Sequence, residues 1–152
     1  MSLYAVLMRS SLIVTISAAM LLVGCWSVHE PTDPQELAKG FHFELHQPMP
    51  PEVEGLRIKR VHIGDGVGSW ITFNATPEVV AQLVEGFVPS DRNAFDTGKD
   101  GANVPEWWRP DGDEMTTFYY AEWWESGCST FSHAYLAHDG SRRVVYFHHS
   151  GS

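Results

Sequence analysis

The amino-acid sequence predicts an α+β fold in which a mostly antiparallel sheet of about five to six strands is packed by one amphipathic helix. Three observations support this class. Several short segments alternate apolar and polar residues, as strands with one buried face do. One segment places its apolar residues at helical spacing instead. Turn-forming residues separate these segments at short intervals, which is typical of antiparallel strands. With 152 residues, the chain is expected to form a single domain.

The start of the domain is predicted from a polar segment and an alternating one. Residues 26–37, WSVHEPTDPQEL, are polar with two prolines and predict a tether, which can end in a short helix beginning at Asp33-Pro34. Residues 41–46, FHFELH, alternate apolar and polar side chains, which predicts a strand. The predicted boundaries are therefore a tether over residues 25–40 and a small α+β domain over residues 41–152.

Two strands and a helix are predicted next. LRIKRVHI (56–63) and SWITFNA (69–75) have strand patterns and flank the glycine-rich turn GDGVG. Thr76-Pro77-Glu78 predicts a helix start, because it combines a hydroxyl N-cap, a proline at the first helical position and an acid near the positive helix end. The apolar residues that follow make one face of a helix over 77–87: Val79, Val80, Leu83, Val84 and Phe87.

The second half of the chain is predicted to contain a long loop and three strands. Residues 89–115 are rich in acids, glycines and prolines, so they predict a loop that is interrupted by Trp107-Trp108. Strands are predicted at about 116–124, 130–138 and 142–149. Four tryptophans of this half either form a patch that stacks on sugars or binds protein, or supply core burial: Trp107, Trp108, Trp123 and Trp124.

The last two strands indicate a binding surface. Asp139-Gly140 is a favoured two-residue turn, and its use pairs His133 with Tyr146. One face of the hairpin then carries aromatic rings with polar tips beside imidazoles, which suits ligand binding. The residues predicted to bind a ligand are Phe131, His133, Tyr135, Tyr146 and His148. One alternative is a second packed layer with the histidines at its rim, and another is a three-residue turn, which would misalign the two faces.

A metal site is a competing hypothesis for the histidines. His42, Glu44 and His46 share one side of the predicted strand, and with His133 or His148 they can offer zinc three ligands. The sequence contains neither a His-Glu-x-x-His motif nor a pair of closely spaced cysteines. No catalytic residues are therefore predicted, and no cofactor is expected unless this set binds zinc.

The charge of the chain bears on its partners. The formal net charge is −9, and residues 1–24 contain Arg9 but no Asp or Glu. Their removal leaves 9 Lys and Arg against 19 Asp and Glu, a net charge of −10. A chain of this charge repels phosphate backbones, and no block of Lys or Arg opposes the repulsion. Nucleic acid is therefore not expected as a partner.

Residues 11–24, which follow Arg9, have the order of a secretory signal: a positive charge, an apolar stretch, then small residues. The stretch has 14 residues before Cys25, whereas an uninterrupted membrane span needs about 20. The alternatives are an uncleaved anchor, an ordinary signal cleaved near Ser17-Ala18-Ala19, and a buried helix. Met8 followed by Arg9 would be a more usual signal beginning, so a further hypothesis is that translation starts at Met8.

Leu22-Val23-Gly24-Cys25, at the end of this apolar stretch, resembles the lipobox of bacterial lipoproteins. The resemblance covers the first 25 residues. It implies that the Cys25 sulfur receives a diacylglyceryl group, that the chain is cut between Gly24 and Cys25, and that the new amino terminus is acylated. Two or three acyl chains give lasting membrane attachment. Because Trp26 rather than Asp follows the cysteine, the resemblance implies the periplasmic face of the outer membrane if the cell is Gram-negative.

Whether Cys128 can form a disulfide depends on whether Cys25 carries lipid. If Cys25 carries lipid, Cys128 has no partner in the chain and is expected to be a small buried apolar residue. If Cys25 is not lipidated, a Cys25–Cys128 disulfide becomes possible in an oxidising compartment.

These observations predict a lipid-anchored protein of the cell envelope, with residues 1–24 as signal peptide and a non-enzymatic binding or accessory domain. Its expected partners are the membrane, through lipid on Cys25, and an envelope protein or glycan. The alternatives are a metal-binding protein or envelope hydrolase built on the histidines, and an immunity or inhibitor lipoprotein, which rests on analogy.

Overall fold

A seven-stranded antiparallel sheet is the centre of the fold. The computed structural model describes residues 26–64, 66–98, 103–110, 115–124 and 131–151. The strands are Trp26–His29 (β1), Glu54–Ile63 (β2), Gly66–Asn74 (β3), Val88–Ser90 (β4), Thr117–Trp124 (β5), Phe131–His138 (β6) and Arg143–Gly151 (β7). The helices of this part of the chain are Pro34–Leu45 (α1), Pro77–Leu83 (α2) and Arg92–Gly98 (α3). The strand order is β1-β2-β3-β7-β6-β5-β4, so the predicted α+β class is confirmed with a slightly larger sheet than expected.

The predicted helix start at Asp33-Pro34 is confirmed. The Asp33 Oδ1 atom accepts hydrogen bonds from the backbone N–H groups of Gln35 and Glu36, at 3.0 and 3.1 Å. Pro34 occupies the first turn, where its missing N–H group costs nothing, and Glu36 places a negative charge near the positive end of the helix. These local interactions begin α1 at the predicted residue.

The predicted strand over residues 41–46 is wrong, because α1 continues through this segment to Leu45. Phe41 and Leu45 are both buried, and they are four residues apart, a spacing that fits one helix face as well as one strand face. Phe43 lies between them and is 60 % exposed, as a helix requires and a buried strand face does not. The positions of Phe41 and Leu45 in the sequence are therefore compatible with a strand and with a helix. The burial of both residues beside an exposed Phe43 shows that this segment is a helix.

The segment predicted as a tether, residues 25–40, has regular structure from Trp26 onward. β1 pairs antiparallel with the end of β2, so that Trp26 lies opposite Ile63 and His29 lies opposite Arg60. The chain then passes through Pro31, which is buried, and enters α1. Trp26, the first residue that the structure describes, thus belongs to the sheet, and Cys25 lies outside the described residues.

The predicted helix over 77–87 begins as expected and ends earlier. The Thr76 Oγ1 atom accepts the Val79 N–H group at 3.4 Å, which confirms the hydroxyl cap. α2 ends at Leu83 and a turn follows, in which Gly86 has a φ of 91°. Only glycine adopts this backbone conformation without strain, so the turn ends the helix before Phe87.

The predicted loop over residues 89–115 contains regular structure. It includes most of β4, which pairs with β5, and all of α3. The Asp91 Oδ1 atom accepts the Ala94 N–H group at 2.9 Å at the start of α3, and the Arg92 Nη2 atom donates to the Met115 carbonyl oxygen at 2.8 Å. The aspartate cap thus begins α3, and the Arg92 side chain joins α3 to the segment just before β5.

Both faces of the sheet are covered, at least in part. The helix face is the side that packs against α1 and α2, and its central buried residues are Ile58, Ile71, Leu136 and Tyr146. The second face is the opposite side, which packs against Phe95 of α3 and the segment around Trp108; its central buried residues are Val61, Trp70 and Ala137. The sheet therefore lies between two apolar layers.

The turn between β6 and β7 has three residues rather than two. The Asp139 N–H group donates to the Arg143 carbonyl oxygen at 3.2 Å, which leaves residues 140–142 as the loop. The Asp139 Oδ1 atom accepts the N–H groups of Ser141, Arg142 and Arg143 at 2.8, 3.0 and 3.1 Å. Burial alone would raise the pKa of Asp139, but these hydrogen bonds together lower it. The carboxylate therefore stabilises the wider turn and determines the register of the hairpin.

His138, the last residue of β6, is expected to make the stability of the domain sensitive to mild acid. Its side chain is buried, and its Nε2 atom has no hydrogen-bond partner in the described part of the chain; the nearest carboxylate oxygen, of Asp139, is 3.9 Å away. Burial lowers the pKa of His138, and the Asp139 charge offsets only part of that effect. Because the neutral imidazole is favoured in the folded state, the unfolded chain takes up a proton first as the pH falls below about 6.5.

The free energy of unfolding is therefore expected to fall between pH 7 and pH 5, by at most about 1.4 kcal/mol per pH unit from this residue. The contribution is fully present above the unfolded-state pKa and is lost as the pH falls toward the lower folded-state pKa. His138→Gln should flatten this dependence in urea unfolding followed by circular dichroism at several pH values. An unchanged slope in the variant would contradict the role of His138.

Candidate binding site

The pairing of the strands does not bring all the residues predicted to bind a ligand to one face of the sheet. β6 and β7 pair so that His133 lies opposite His149 and Leu136 lies opposite Tyr146. The predicted pairing of His133 with Tyr146 is therefore wrong by three residues. Because side chains alternate between faces, an odd shift moves one strand's set to the other side of the sheet. The physical reason is the three-residue turn at Asp139.

Tyr146 belongs to the core and not to a binding surface. It is fully buried on the helix face, where its hydroxyl donates to the backbone carbonyl oxygen of Glu44 at 2.9 Å. Burial raises the pKa of Tyr146 well above its usual range, and the Glu44 charge adds to the effect. Position 148 pairs with Ala134, on the face opposite to His133, and the His148 side chain lies outside the described part of the structure.

The other predicted residues do meet, and two residues of β5 join them. β5 and β6 pair so that Tyr120 lies opposite Tyr135 and Glu122 lies opposite His133. Together with Phe131 they form a group on the second face, here called the tyrosine–histidine cluster: Tyr120, Glu122, Phe131, His133 and Tyr135. The sequence pattern of β5 places Tyr120 and Glu122 on one face, but only the pairing with β6 brings them to His133.

The rings of the cluster are in mutual contact. The ring centroids of Tyr120 and Tyr135 are 5.1 Å apart, and those of Phe131 and His133 are 5.2 Å apart. The Tyr120 ring is stacked on the His133 ring at 6.1 Å, and the Tyr120 hydroxyl oxygen lies 2.8 Å from the His133 Nδ1 atom. Ring contacts and a hydrogen bond thus hold the imidazole in one orientation.

The tyrosine hydroxyls of the cluster remain protonated at neutral pH. Burial raises the pKa of Tyr120, and the negative charge of Glu122 and the neighbouring Tyr135 raise it further. Burial and the Glu122 charge also raise the pKa of Tyr135. Protonated hydroxyls beside a carboxylate offer a ligand both hydrogen-bond donors and an acceptor.

The cluster lies where the cover of the second face ends. Tyr135 is packed against the buried group that contains Trp108 and Phe95, whereas Phe131 is 37 % exposed. Tyr120, His133 and Tyr135 are half-buried, and Glu122 is exposed. A second packed layer with a histidine at its rim, one of the alternatives from the sequence, therefore describes this face. Its rim is a shallow surface of rings with polar tips.

The residues predicted to bind metal do not converge. Glu44 points from α1 to the sheet and is fully buried, and its Oε1 atom accepts hydrogen bonds from Arg60 Nε at 2.6 Å and Ser69 Oγ at 2.7 Å. His42 is exposed, and His46 ends α1 with its ring 5.3 Å from the Trp123 ring. In the described segments, no group of three or more potential ligand side chains is placed to hold a metal ion. The strand that would have aligned this set does not exist.

A cleft of about 340 Å³ lies between the end of α1, the turn after α2, and β5. Its aromatic wall is Trp123, which the Phe87 ring approaches to 6.4 Å between centroids. The Gln47 side chain lines the cleft, and its Nε2 atom donates to the Leu83 carbonyl oxygen at 3.3 Å. No pattern in the sequence predicted this cleft, because its walls come from three distant parts of the chain.

Comparisons of the chain with protein-family models, with curated proteins and with solved structures found no match. Among the residues that the structure describes, none of the helices has the length and hydropathy of a membrane span.

Proposed function

We propose that this protein is a lipid-anchored lipoprotein of a bacterial cell envelope, whose domain is a non-enzymatic module that binds an envelope protein or glycan. The observation that carries the proposal is the position of Cys25, directly after an uncharged apolar stretch and the small residue Gly24. A thiol is the nucleophile needed to form a thioether with diacylglyceryl, and a small preceding residue leaves the peptide bond accessible to cleavage. In a Gram-negative cell the expected site is the periplasmic face of the outer membrane.

The tyrosine–histidine cluster is the proposed binding surface of this module. Its rings can stack on a sugar or pack against apolar side chains, while the hydroxyls, the imidazole and Glu122 can form hydrogen bonds. The overall negative charge supports a partner other than nucleic acid.

The lipid anchor is tested by expressing the full chain in a bacterium and determining the mass of its N-terminal peptide. We expect the peptide to begin at Cys25 and to carry the mass of a diacylglyceryl group and an amide-linked acyl chain. Cys25→Ser removes the sulfur, so we expect neither lipid nor cleavage before residue 25. Cys128→Ser is the matched control and should keep the lipid. A product that begins elsewhere, or that carries no acyl mass on Cys25, would refute the anchor.

The binding surface is tested with two probes, isolated peptidoglycan sacculi and immobilised envelope proteins from the same cells. His133→Ala and Tyr135→Ala are expected to weaken binding to one probe by about tenfold each, as loss of a central contact does. Phe43→Ala is the control, because Phe43 is an exposed aromatic residue on α1, away from the cluster. Equal binding by all three variants, or no binding by the unmodified protein, would contradict the proposed surface.

A further inference from the structure

One edge of the sheet exposes three large apolar side chains. Trp26 is 62 % exposed, Val28 is 49 % exposed and Ile63 is 57 % exposed. Trp26 and Ile63 lie opposite each other in the pairing of β1 with β2, and Val28 is two residues from Trp26. Opposite residues and residues two apart project from the same face of a sheet. The three side chains therefore form one group, here called the edge patch.

The edge patch lies next to the proposed point of lipid attachment. β1 begins at Trp26, and its pairing with β2 holds this residue in the sheet. Cys25 directly precedes Trp26 in the sequence, so one peptide bond separates the residue proposed to carry lipid from the first residue of the patch. A lipid on Cys25 would thus bring the patch to the level of the phospholipid headgroups, with no linker between them.

We propose that the edge patch contacts the phospholipid surface that holds Cys25, so that the domain lies against the membrane. The proposal rests on the proposed lipid anchor and specifies how the anchored domain is oriented. Tryptophan is enriched at the membrane–water interface, where its apolar ring and its N–H group are both accommodated. Valine and isoleucine on the same face add apolar surface that is removed from water on contact.

The tyrosine–histidine cluster lies on the same face of the sheet as the edge patch, because Val61, two residues from Ile63 on β2, belongs to the second face. β6 is four strands from β1 in the sheet order, and neighbouring strands are about 4.8 Å apart, so the cluster is about 20 Å along the sheet from the edge patch. Contact of the whole face with lipid would cover the cluster, so the proposed membrane contact involves only the β1 edge of this face.

The test uses the lipid-bearing protein purified from its host and reconstituted in vesicles of phosphatidylethanolamine and phosphatidylglycerol with brominated acyl chains. The contribution of Trp26 to the fluorescence is obtained by subtracting the emission of Trp26→Phe from that of the unmodified protein. We expect bromine to lower this emission by about twofold or more, because the ring lies at the interface. The polar substitution Ile63→Ser should reduce the quenching. Val88→Ser is the matched control, since Val88 is 55 % exposed on the opposite edge of the sheet, and should leave it unchanged.

The outcomes separate this proposal from the anchor itself. Lipid mass on Cys25 together with quenching of Trp26 supports both. Lipid mass with no quenching overturns the membrane contact and leaves the anchor in place. Absence of lipid on Cys25 overturns the anchor and, with it, the membrane contact. Circular dichroism of Trp26→Phe and Ile63→Ser verifies that the domain is folded in each measurement.

Discussion

Replacing Glu44 with alanine is expected to lower the free energy of unfolding by about 3 kcal/mol. Glu44 is fully buried, and its carboxylate accepts hydrogen bonds from Arg60 and Ser69. Without the carboxylate, the Arg60 guanidinium loses its counter-charge and the Ser69 hydroxyl loses this acceptor in the buried interior. The estimate is at the low end for a broken buried pair, because the Arg60 side chain keeps 17 % of its exposure and water screens part of its charge.

Urea unfolding measures this change, and Glu85→Ala is the matched control because Glu85 is an exposed glutamate. The control should change the free energy of unfolding by no more than about 0.5 kcal/mol. The double variant Glu44→Leu/Arg60→Leu should recover most of the loss, since apolar residues of similar size can replace a buried ion pair at little cost. Equal effects of Glu44→Ala and Glu85→Ala would contradict the buried pair.

Trp108→Ala is expected to lower the free energy of unfolding by about 4 kcal/mol, a typical cost for removing a buried tryptophan. Trp108 is 4 % exposed and stacks on Phe95 of α3, with 6.1 Å between ring centroids. The two rings belong to the group that covers Trp70 and Val61 on the second face. Loss of the indole leaves a cavity between this cover and the sheet.

Trp26→Ala is the control for Trp108→Ala, because it removes the same side chain from a position that is 62 % exposed. Its effect in the protein without membranes should be below about 1 kcal/mol. Thermal unfolding followed by circular dichroism gives both values under the same conditions. Comparable losses in the two variants would mean that the Trp108 segment is not a structural cover of the sheet.

Local signals in the sequence were sufficient for the fold class and for two helix starts. Asp33-Pro34 and Thr76-Pro77 begin α1 and α2 as predicted, because a cap and a first-turn proline act within a few residues. The hairpin of β2 and β3 follows from two strand patterns around a glycine-rich turn. These features depend on neighbours along the chain, which the sequence shows directly.

The candidate site was predicted only in part, because it depends on strand register. Phe131, His133 and Tyr135 were assigned to one face of β6 correctly, since alternation within one strand is a local property. Tyr146 was placed beside them by an assumed two-residue turn, whereas the Asp139 carboxylate stabilises a three-residue turn. The loop is one residue longer and also begins one residue later, so the pairing shifts by three residues and places His149 opposite His133.

The sequence alone determined the α+β class, two helix starts and the strands β2, β3, β5, β6 and β7, all from interactions or patterns within a few residues. The anchor at Cys25 stays a prediction from the sequence. Only the tertiary structure decided that Phe41 and Leu45 belong to a helix, that Glu44 is neutralised by Arg60, and that Tyr120 and Glu122 meet His133. Each of these depends on contacts between segments distant in the chain, where burial and pairing outweigh local preference.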